Sequence, residues 1–175
     1  NITFVNRDKT KEVLTYATHL LITAPPDDRG CPIFNEFSDQ ILKSNIKSII
    51  YISSTGVYGN HKGAWVSEDS TLNARSPFDK IRIKSEKQWK TYCKKRNLNL
   101  KVLRISGIYG PQRIIKFNEK KLEVPVKKNH YFSRIHILDA ARLISKIILQ
   151  NHYNDTWNLS DDSPSSREAF LLEAI

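Results

Sequence analysis

Three short runs of mostly apolar residues constrain the fold of this chain more than any other feature of its sequence. They occupy residues 19–24, 47–53 and 100–106, and in each run apolar side chains cluster instead of alternating strictly with polar ones. Strands of this kind are typical of parallel sheets that are covered on both faces. A fourth, shorter strand is predicted at Thr156–Leu159.

Segments with a helical spacing of apolar residues separate the predicted strands. They lie at 33–44, 79–96 and Ile137–Leu149, and residues 166–175 predict a last helix with Ser166 as its N-cap. Parallel strands connected by helices predict a doubly wound α/β fold, with helices on both faces of the sheet. The 175 residues fit a single domain, 1–175. Residues 1–6 are interpreted as a strand or as the approach to the first apolar run.

The charge of the chain is strongly basic. The formal net charge is +10, and the lysines and arginines are scattered along the sequence. No nucleic-acid-binding motif accompanies them, so we favour a solvated lysine coat and keep nucleic-acid association as a minor alternative. The sequence contains no apolar run that could cross a membrane and no signal-peptide pattern, so we expect a cytoplasmic protein. Cys31 and Cys93 match no metal-ligand spacing; we expect free thiols and no metal site.

Hydroxyl-bearing residues and glycines follow the second and third predicted strands. The sequence YISSTGVYG spans residues 51–59, and LRISGIYGP spans residues 103–111. Because the carboxyl ends of parallel strands meet at one edge of a sheet, Ser53, Ser54 and Thr55 are expected to face a ligand there. Residues 55–77 are predicted to form a long loop at the same edge, where folds of this class bind their ligands.

Six motifs, taken in order, resemble the extended short-chain dehydrogenases/reductases, the group of NAD-dependent sugar epimerases and dehydratases. They are SSTGVYG (53–59), Glu68, Ser85-Glu86, LRISGIYGP (103–111), RIHILDAA (134–141) and WNLSDD (157–162), and they cover most of the chain from His19 onward. The resemblance implies a Rossmann-like fold, NAD or NADP as cofactor, and a small-molecule nucleotide or sugar ligand as partner. It also implies a homodimer formed through the long helix.

The chain departs from that family at the catalytic pair. The family carries a tyrosine and, four residues later, a lysine on one face of the long helix; the phenol transfers the proton and the lysine lowers the phenol's pKa. Counting back from Glu86, these positions hold Phe78 and Arg82. A literal Tyr-x-x-x-Lys at Tyr58 and Lys62 lies in a predicted loop, where this spacing does not place two side chains on one helical face.

A second departure concerns the phosphate-binding turn. The turn G-x-x-G-x-x-G, which brings the backbone close to a pyrophosphate, does not occur in the sequence. We therefore expect that the first βαβ unit is missing and that the chain is truncated at its N-terminus. The sequence also contains no methionine. The segments THLLITAPPDDRG, GVYGNHKGAWVSE and FSRIH most resemble an atypical branch of the family that lacks the tyrosine–lysine pair and has no assigned substrate.

The resemblance, together with the predicted strand ends, yields three sets of candidate site residues. The candidate proton donors are Ser54, Tyr58 and His136. The candidate cofactor-binding residues are Thr23, Ala24, Pro25, Ser53, Phe78, Arg82, Ile105 and Gly107. The candidate substrate-binding residues are Thr55, Trp65, Arg104, Tyr109, Arg113 and Arg134, with small substrate-side elements expected in 111–136 and 155–175. Structural roles, as strand-end, capping or loop-stapling groups, stay open for these residues.

The sequence leaves three functions open. The first is an atypical, NAD(P)-binding reductase/epimerase-like protein that acts on or senses a nucleotide-type or sugar-type ligand. The second is a non-catalytic nucleotide-binding, regulatory or scaffold module, and the third is a basic nucleic-acid-associated protein. Whether the chain is an enzyme also stays open, because Phe78 has no proton to transfer.

Overall fold

Four parallel strands form the central sheet of the structure, a computed structural model that describes residues 2–111, 131–150, 156–166 and 169. Counting two small two-stranded sheets as well, the described residues form β1 (His19–Ile22), β2 (Ser48–Ser54), β3 (Asn99–Ile105), β4 (Gly107–Tyr109), β5 (Tyr131–Phe132), β6 (Arg134–His136), β7 (Thr156–Leu159) and β8 (Ser165–Ser166). The helices are α1 (Thr10–Tyr16), α2 (Pro32–Leu42), α3 (Pro77–Arg96) and α4 (Ile137–Leu149), with 3-10 turns at Arg7–Lys9 and Thr55–Tyr58.

The central sheet has the strand order β1-β2-β3-β7, and each neighbouring pair is parallel. Ser54, Ile105 and Leu159 lie side by side at the carboxyl ends of β2, β3 and β7, whereas β1 ends opposite Tyr51. The predicted Rossmann-like parallel sheet is confirmed. The predicted bounds of its strands and of α2, α3 and α4 differ from the observed bounds by no more than one or two residues.

Alternate residues of β2 serve two apolar layers, one on each face of the sheet. Ile49 and Tyr51 are buried in a cluster that includes Trp89 of α3. Ile50 points to the opposite face and belongs to a second cluster with Ile147 of α4. Both faces of the sheet are therefore covered, which explains why its central strands are mostly apolar.

A lysine is buried in the middle of β3. The Nζ of Lys101 donates hydrogen bonds to the carbonyl oxygens of Ile147 and Gln150 at the C-terminal end of α4. The last carbonyls of a helix have no partner within the helix and carry partial negative charge, so a cation is stabilised there. Lys101 thus ties the C-terminal end of α4 to the sheet.

The N-terminal residues differ from the prediction. Residues 2–6 form no strand, and α1 (Thr10–Tyr16), which was not predicted, follows them. Leu14 is the buried residue of α1, and it joins the cluster on the α2 and α3 side of the sheet. With so short an apolar face, the helical period of this segment is weak in the sequence.

Most of the predicted C-terminal helix lies outside the described residues, which do not include 167–168 and 170–175. Its predicted N-cap is consistent with one contact, in which the amide of Ala169 donates to Ser166 Oγ at 3.1 Å. Within the part of the chain that the structure describes, no helix has the length and apolar character needed to span a membrane.

Candidate functional site

The carboxyl end of β2 is fixed by its own hydroxyl side chain. Ser54 accepts a hydrogen bond from the amide of Gly56 at 3.1 Å, and this contact caps the 3-10 turn Thr55–Tyr58. Serine suits this position because its side chain can replace a backbone acceptor at the start of a turn. Ser54 and Thr55 are both half-buried, at the edge where β2 and β3 end.

The first turn of α3 packs directly against this 3-10 turn. Ser76 is the N-cap of α3, and its Oγ accepts from the amide of Asp79 at 3.2 Å and donates to Asp79 Oδ2 at 2.8 Å. A Cβ built on Gly56 would lie 2.4 Å from Asp79 Oδ1, so the two segments touch. The contact brings the start of α3, and with it Phe78, to the same edge of the sheet as Ser54.

Phe78 and Arg82 lie one turn apart on α3, as the sequence predicts. The ring of Phe78 is 77% exposed, whereas Arg82 is half-buried. Burial raises the pKa of Tyr51 to about 12, and the nearby positive charge of Arg82 acts in the opposite direction. Arg82 therefore lies near Tyr51 of β2, on the half-buried side of α3.

A buried ion pair lies below this edge. Arg104 of β3 donates to Glu86 of α3 through Nε at 3.2 Å and Nη2 at 2.8 Å, and Ser53 Oγ donates to Glu86 Oε1 at 2.6 Å. Burial opposes the charge on Arg104, but its contacts with Glu86 and Tyr58 outweigh that effect and raise its pKa. Ser53 and Arg104, which the sequence assigns to cofactor and substrate, are thus both engaged inside the protein.

Tyr58 extends the same network to β7 and to the long loop. Its hydroxyl donates to Asn158 Oδ1 at 2.6 Å and accepts from Arg104 Nη1 at 2.8 Å. Glu68 of the loop accepts from the amide of Asn158 at 2.7 Å, and its carbonyl accepts from Arg104 at 3.0 Å. Glu68, Glu86 and Asn158 lie within the sequence motifs, but those motifs did not predict this role for them.

The second half of the edge is built from β4 and β6. Tyr109 lies opposite His136, and their rings meet edge to face at 5.3 Å. His136 is the N-cap of α4, where its Nδ1 accepts from the amide of Leu138 at 3.4 Å. Arg134 donates to Ser165 Oγ at 2.7 Å. His136 and Arg134 therefore each carry a structural contact at this edge.

The remaining candidates are scattered. Ile105 is buried in the α4-side cluster, so only its backbone could reach a ligand. Trp65 is 81% exposed in the long loop. Thr23, Ala24 and Pro25 follow β1, which ends before β2 does, and Arg113 lies outside the described residues. Among the described residues, no group of three or more His, Cys, Asp or Glu is placed to hold a metal ion.

One further hydroxyl, which the sequence motifs did not predict as a site residue, lies at the same edge. Ser106 directly follows β3 and is buried, and its Oγ has no hydrogen-bond partner within the described ranges. Its amide donates to the carbonyl of Leu159 at 3.0 Å, which places it where β3 and β7 end. The signal in the sequence was the repetition of Ser-Gly or Ser-Thr-Gly after each of the two strands.

A family model described as "NAD dependent epimerase/dehydratase family" matches residues 36–160. The chain belongs to the NAD-dependent epimerase/dehydratase family. This confirms the resemblance that the motifs indicate. A comparison with curated proteins finds no match.

Solved structures share the fold of this family member. A functionally unknown conserved protein from Silicibacter pomeroyi DSS is 34% identical, with a TM-score of 0.75 over 87% of this chain and 54% of that chain. A UDP-glucuronic acid 4-epimerase from Bacillus cereus in complex with NAD is 20% identical, with a TM-score of 0.77 over 94% and 61%. MoeE5 in complex with UDP-glucose and NAD is 17% identical, with a TM-score of 0.74 over 94% and 63%. The chain thus spans between about half and less than two thirds of the length of these relatives.

The family's name implies NAD as a cofactor, and the described residues could contact only part of that molecule. A Cβ on Gly59 would lie 2.2 Å from the carbonyl oxygen of Asn73, and Gly56 packs as closely on Asp79, so the chain itself fills these glycine positions. Neither glycine leaves the open backbone that a pyrophosphate requires. Gly107 is exposed, and the nearest atom to its Cβ position is 3.6 Å away, so a ligand has room there. The described part of this family member offers hydroxyls and two open glycines, Gly63 in the long loop and Gly107 after β3, but no pyrophosphate cradle.

Proposed function

We propose that this family member is an atypical, non-catalytic NAD(P)- or sugar-nucleotide-binding module that uses the carboxyl edge of its sheet. The observation that carries the proposal is the pair Phe78 and Arg82, one turn apart on α3, at the positions that the motif order predicts for the family's tyrosine and lysine. An exposed phenylalanine can cover the face of a sugar or a base, but it can neither donate nor accept a proton.

Arg82 supplies the charge that a nucleotide ligand needs. Its guanidinium stays protonated at all physiological pH values and can bind two oxygens of a phosphate or of a ribose at once. Because it does not release its proton, it cannot take part in a proton relay as a lysine can. The pair Phe78 and Arg82 therefore supports binding and orientation of a ligand without proton transfer.

The other candidate proton donors are occupied by structural contacts. Tyr58 is buried, and its hydroxyl contacts Arg104 and Asn158. His136 Nδ1 caps α4, and Ser54 Oγ caps the turn after β2. A general acid must reach the ligand and give up its proton. Tyr58 already donates its proton to Asn158, and Ser54 and His136 are held as caps at the ends of β2 and β6.

A second candidate function is catalysis with a different proton donor. Ser106 favours it, because its buried Oγ has no partner within the described ranges and lies where β3 and β7 end. A hydroxyl alone is a weak acid and a weak base, so this function also requires a neighbouring base.

Calorimetric titration tests the nucleotide binding that both functions require. We expect NAD⁺, NADP⁺, UDP-glucose or UDP-glucuronic acid to bind, and Arg82→Met to weaken that binding by about tenfold to a hundredfold, the loss typical of a hydrogen bond to a charged group. Lys90→Met, an exposed cation on the same helix, is the matched control and should bind as the natural chain does. Failure of all four compounds to bind would remove a nucleotide from the function of this chain.

Turnover of the two UDP-sugars in the presence of NAD⁺ decides between binding and catalysis. The natural chain is expected to give none. Turnover that appears only in the Phe78→Tyr, Arg82→Lys double variant would show that the site keeps the geometry of an enzyme and lacks only the proton relay. Turnover by the natural chain, unchanged in Phe78→Tyr and lost in Ser106→Ala, would establish the second candidate function instead.

A further inference from the structure

We propose that Trp65 of the long loop and Tyr131 of β5 form a stacking surface for one ring of a sugar nucleotide, either its base or its sugar. The two side chains, which we call the aromatic pair, are 81% and 58% exposed. The inference rests on the proposed function, because it assigns the ring of that ligand to residues beside the carboxyl edge of the sheet.

Gly63 brings the two residues of the aromatic pair together. A Cβ built on Gly63 would lie 3.7 Å from Cδ2 of the Tyr131 ring, and no other atom lies nearer to it. Gly63 precedes Trp65 by two residues, so the Tyr131 ring lies against the loop segment that carries Trp65. Neither ring takes part in a ring–ring or cation–π contact with another described residue. Both rings are therefore open to a ligand.

The aromatic pair adjoins the open glycine after β3. The amide of Gly107 donates to the carbonyl of Ser133 at 3.3 Å, and Ser133 follows Tyr131 by two residues. Two residues of extended chain span at most about 7 Å. A ligand that uses the open space at Gly107 therefore lies within reach of Tyr131.

The loop is fixed on both sides of Trp65. Before it, the amide of Ala64 donates to the carbonyl of His61 at 3.1 Å. After it, the carbonyl of Glu68 accepts from Arg104 at 3.0 Å. The exposure of Trp65 is thus built into a held loop. A tryptophan has two side-chain torsions and loses little conformational entropy when it binds a ring.

A cation on the same loop suits the phosphates of a nucleotide. Lys62 is exposed, and among the described residues it forms no ion pair. Its backbone is left-handed, with φ +57°, and its amide donates to Asn60 Oδ1 at 2.7 Å. Lys62 precedes Trp65 by three residues, so one ligand molecule can place a ring on the tryptophan and a phosphate near the lysine. A free sugar would leave this cation unused.

The size of the aromatic pair favours a small ligand over a protein partner. Each aromatic side chain buries about 150–250 Å², so the two together bury at most about 500 Å². A stable protein interface buries about 800 Å² on each partner. The aromatic pair is too small for such an interface, whereas stacking on a single ring needs no larger surface.

Calorimetric titration with UDP-glucose tests the proposal. Trp65→Ala and Tyr131→Ala should each weaken the binding, by about fivefold to a hundredfold for the tryptophan, the loss typical of one stacked base. Trp65→Phe keeps an aromatic ring and should stay within about threefold of the natural chain. Tyr16→Ala is the matched control, because Tyr16 is an exposed aromatic residue of α1, and it should bind as the natural chain does.

Comparison of UDP with UDP-glucose identifies the ring. An equal loss for both compounds in Trp65→Ala would place the base on the aromatic pair, and a loss for UDP-glucose alone would place the sugar there. Either result supports the proposal. Natural affinity for both compounds in Trp65→Ala, together with weaker binding in Arg82→Met, would overturn the stacking surface and leave the proposed function standing.

The remaining outcomes also decide the matter. If NAD⁺ binds and neither UDP-sugar does, the stacking surface is overturned and the proposed function stands; if no nucleotide binds, both are overturned. Trp65→Ala should unfold at the same urea concentration as the natural chain, and a lower midpoint would assign the ring to the structure of the loop instead. A dimer in sedimentation equilibrium that Trp65→Ala dissociates would assign the aromatic pair to a second copy.

Discussion

Arg104 of β3 and Glu86 of α3 form a fully buried ion pair, with 2.8 Å between Nη2 and Oε2 and side chains that are 3% and 2% exposed. The carboxylate also accepts from Ser53, and the guanidinium also contacts Tyr58 and the carbonyl of Glu68. A buried charge is tolerated only when it is paired and hydrogen-bonded. The pair therefore joins the sheet, the long helix and the loop at one point.

Removing one partner of this pair should be costly. Glu86→Gln leaves the Arg104 charge uncompensated in the interior, and we expect a loss of about 3–5 kcal/mol in the free energy of unfolding, measured by urea denaturation. The double variant Glu86→Leu, Arg104→Met should lose less stability than Glu86→Leu alone or Arg104→Met alone, because no unpaired charge remains. Single and double variants with additive losses would contradict the pairing.

The hydroxyl of Tyr58 should stabilise the fold measurably. Tyr58→Phe removes the donor to Asn158 and the acceptor for Arg104 while keeping the ring, so we expect a loss of about 1–3 kcal/mol in the free energy of unfolding. Tyr16→Phe is the matched control, because Tyr16 is 65% exposed and should change stability by less than about 0.5 kcal/mol. Equal effects in the two variants would show that the Tyr58 hydroxyl is not part of a buried network.

Gly59 and Gly63 allow two requirements for glycine to be tested separately, a left-handed backbone and a close approach of another segment. Both have a positive φ, +68° and +85°, but a Cβ would lie 2.2 Å from the Asn73 carbonyl oxygen at Gly59 and no closer than 3.7 Å to any neighbour at Gly63. We expect Gly63→Ala to cost about 1–2 kcal/mol for the left-handed backbone alone. Gly59→Ala should cost clearly more, since the loop must also move away from Asn73. Thermal denaturation of both variants measures the difference, and equal midpoints would rule out the close approach.

The buried thiol of Cys93 should make stability depend on alkaline pH. Burial raises the pKa of Cys93 to about 12 from its ordinary 9.0. The unfolded chain therefore loses this proton at lower pH than the folded chain does, and the free energy of unfolding falls as the pH rises from about 9 towards 12. The decline should be up to about 1.4 kcal/mol per pH unit steeper in the natural chain than in Cys93→Ala.

Tyr51, whose pKa is also raised, is present in both chains, so the difference between them reports Cys93 alone. Urea denaturation at several pH values between about 8 and 11 provides the measurement. Two curves that stay parallel over this range would contradict the assignment.

The sheet could be predicted because its signal is local. Each strand of the sheet is a short apolar run, and the hydrophobic stripe of α4 has the period of a helix. The sequence of elements along the chain and their bounds therefore follow from neighbouring residues. Helix α1 escaped prediction because Leu14 is its one buried residue. The cytoplasmic location, the homodimer and the single-domain bounds stay predictions of the sequence.

The candidate site could be predicted only in outline. The motif order predicted Phe78, Arg82 and Ser54 at one edge of the sheet, and the contact between Asp79 and Gly56 brings the start of α3 to the end of β2. The inward orientation of Arg104 and Lys101 could not be foreseen, because a long cationic side chain in a strand is ordinarily expected to reach solvent. Their partners, Glu86 and the C-terminal end of α4, lie 18 and 46 residues away.

The Tyr58–Asn158 contact joins residues that are 100 positions apart, and Glu68 is 90 positions from the same asparagine. A ribosome completes the loop at residues 55–77 long before it makes β7. During that interval the growing chain has no partner for the Tyr58 phenol or the Glu68 carboxylate on β7, and an exposed loop is a ready substrate for proteases. The contacts that Tyr58 and Glu68 make with Asn158 can therefore form only after Thr156–Leu159 has been synthesised, and until then Arg104 of β3 is available to hold the loop.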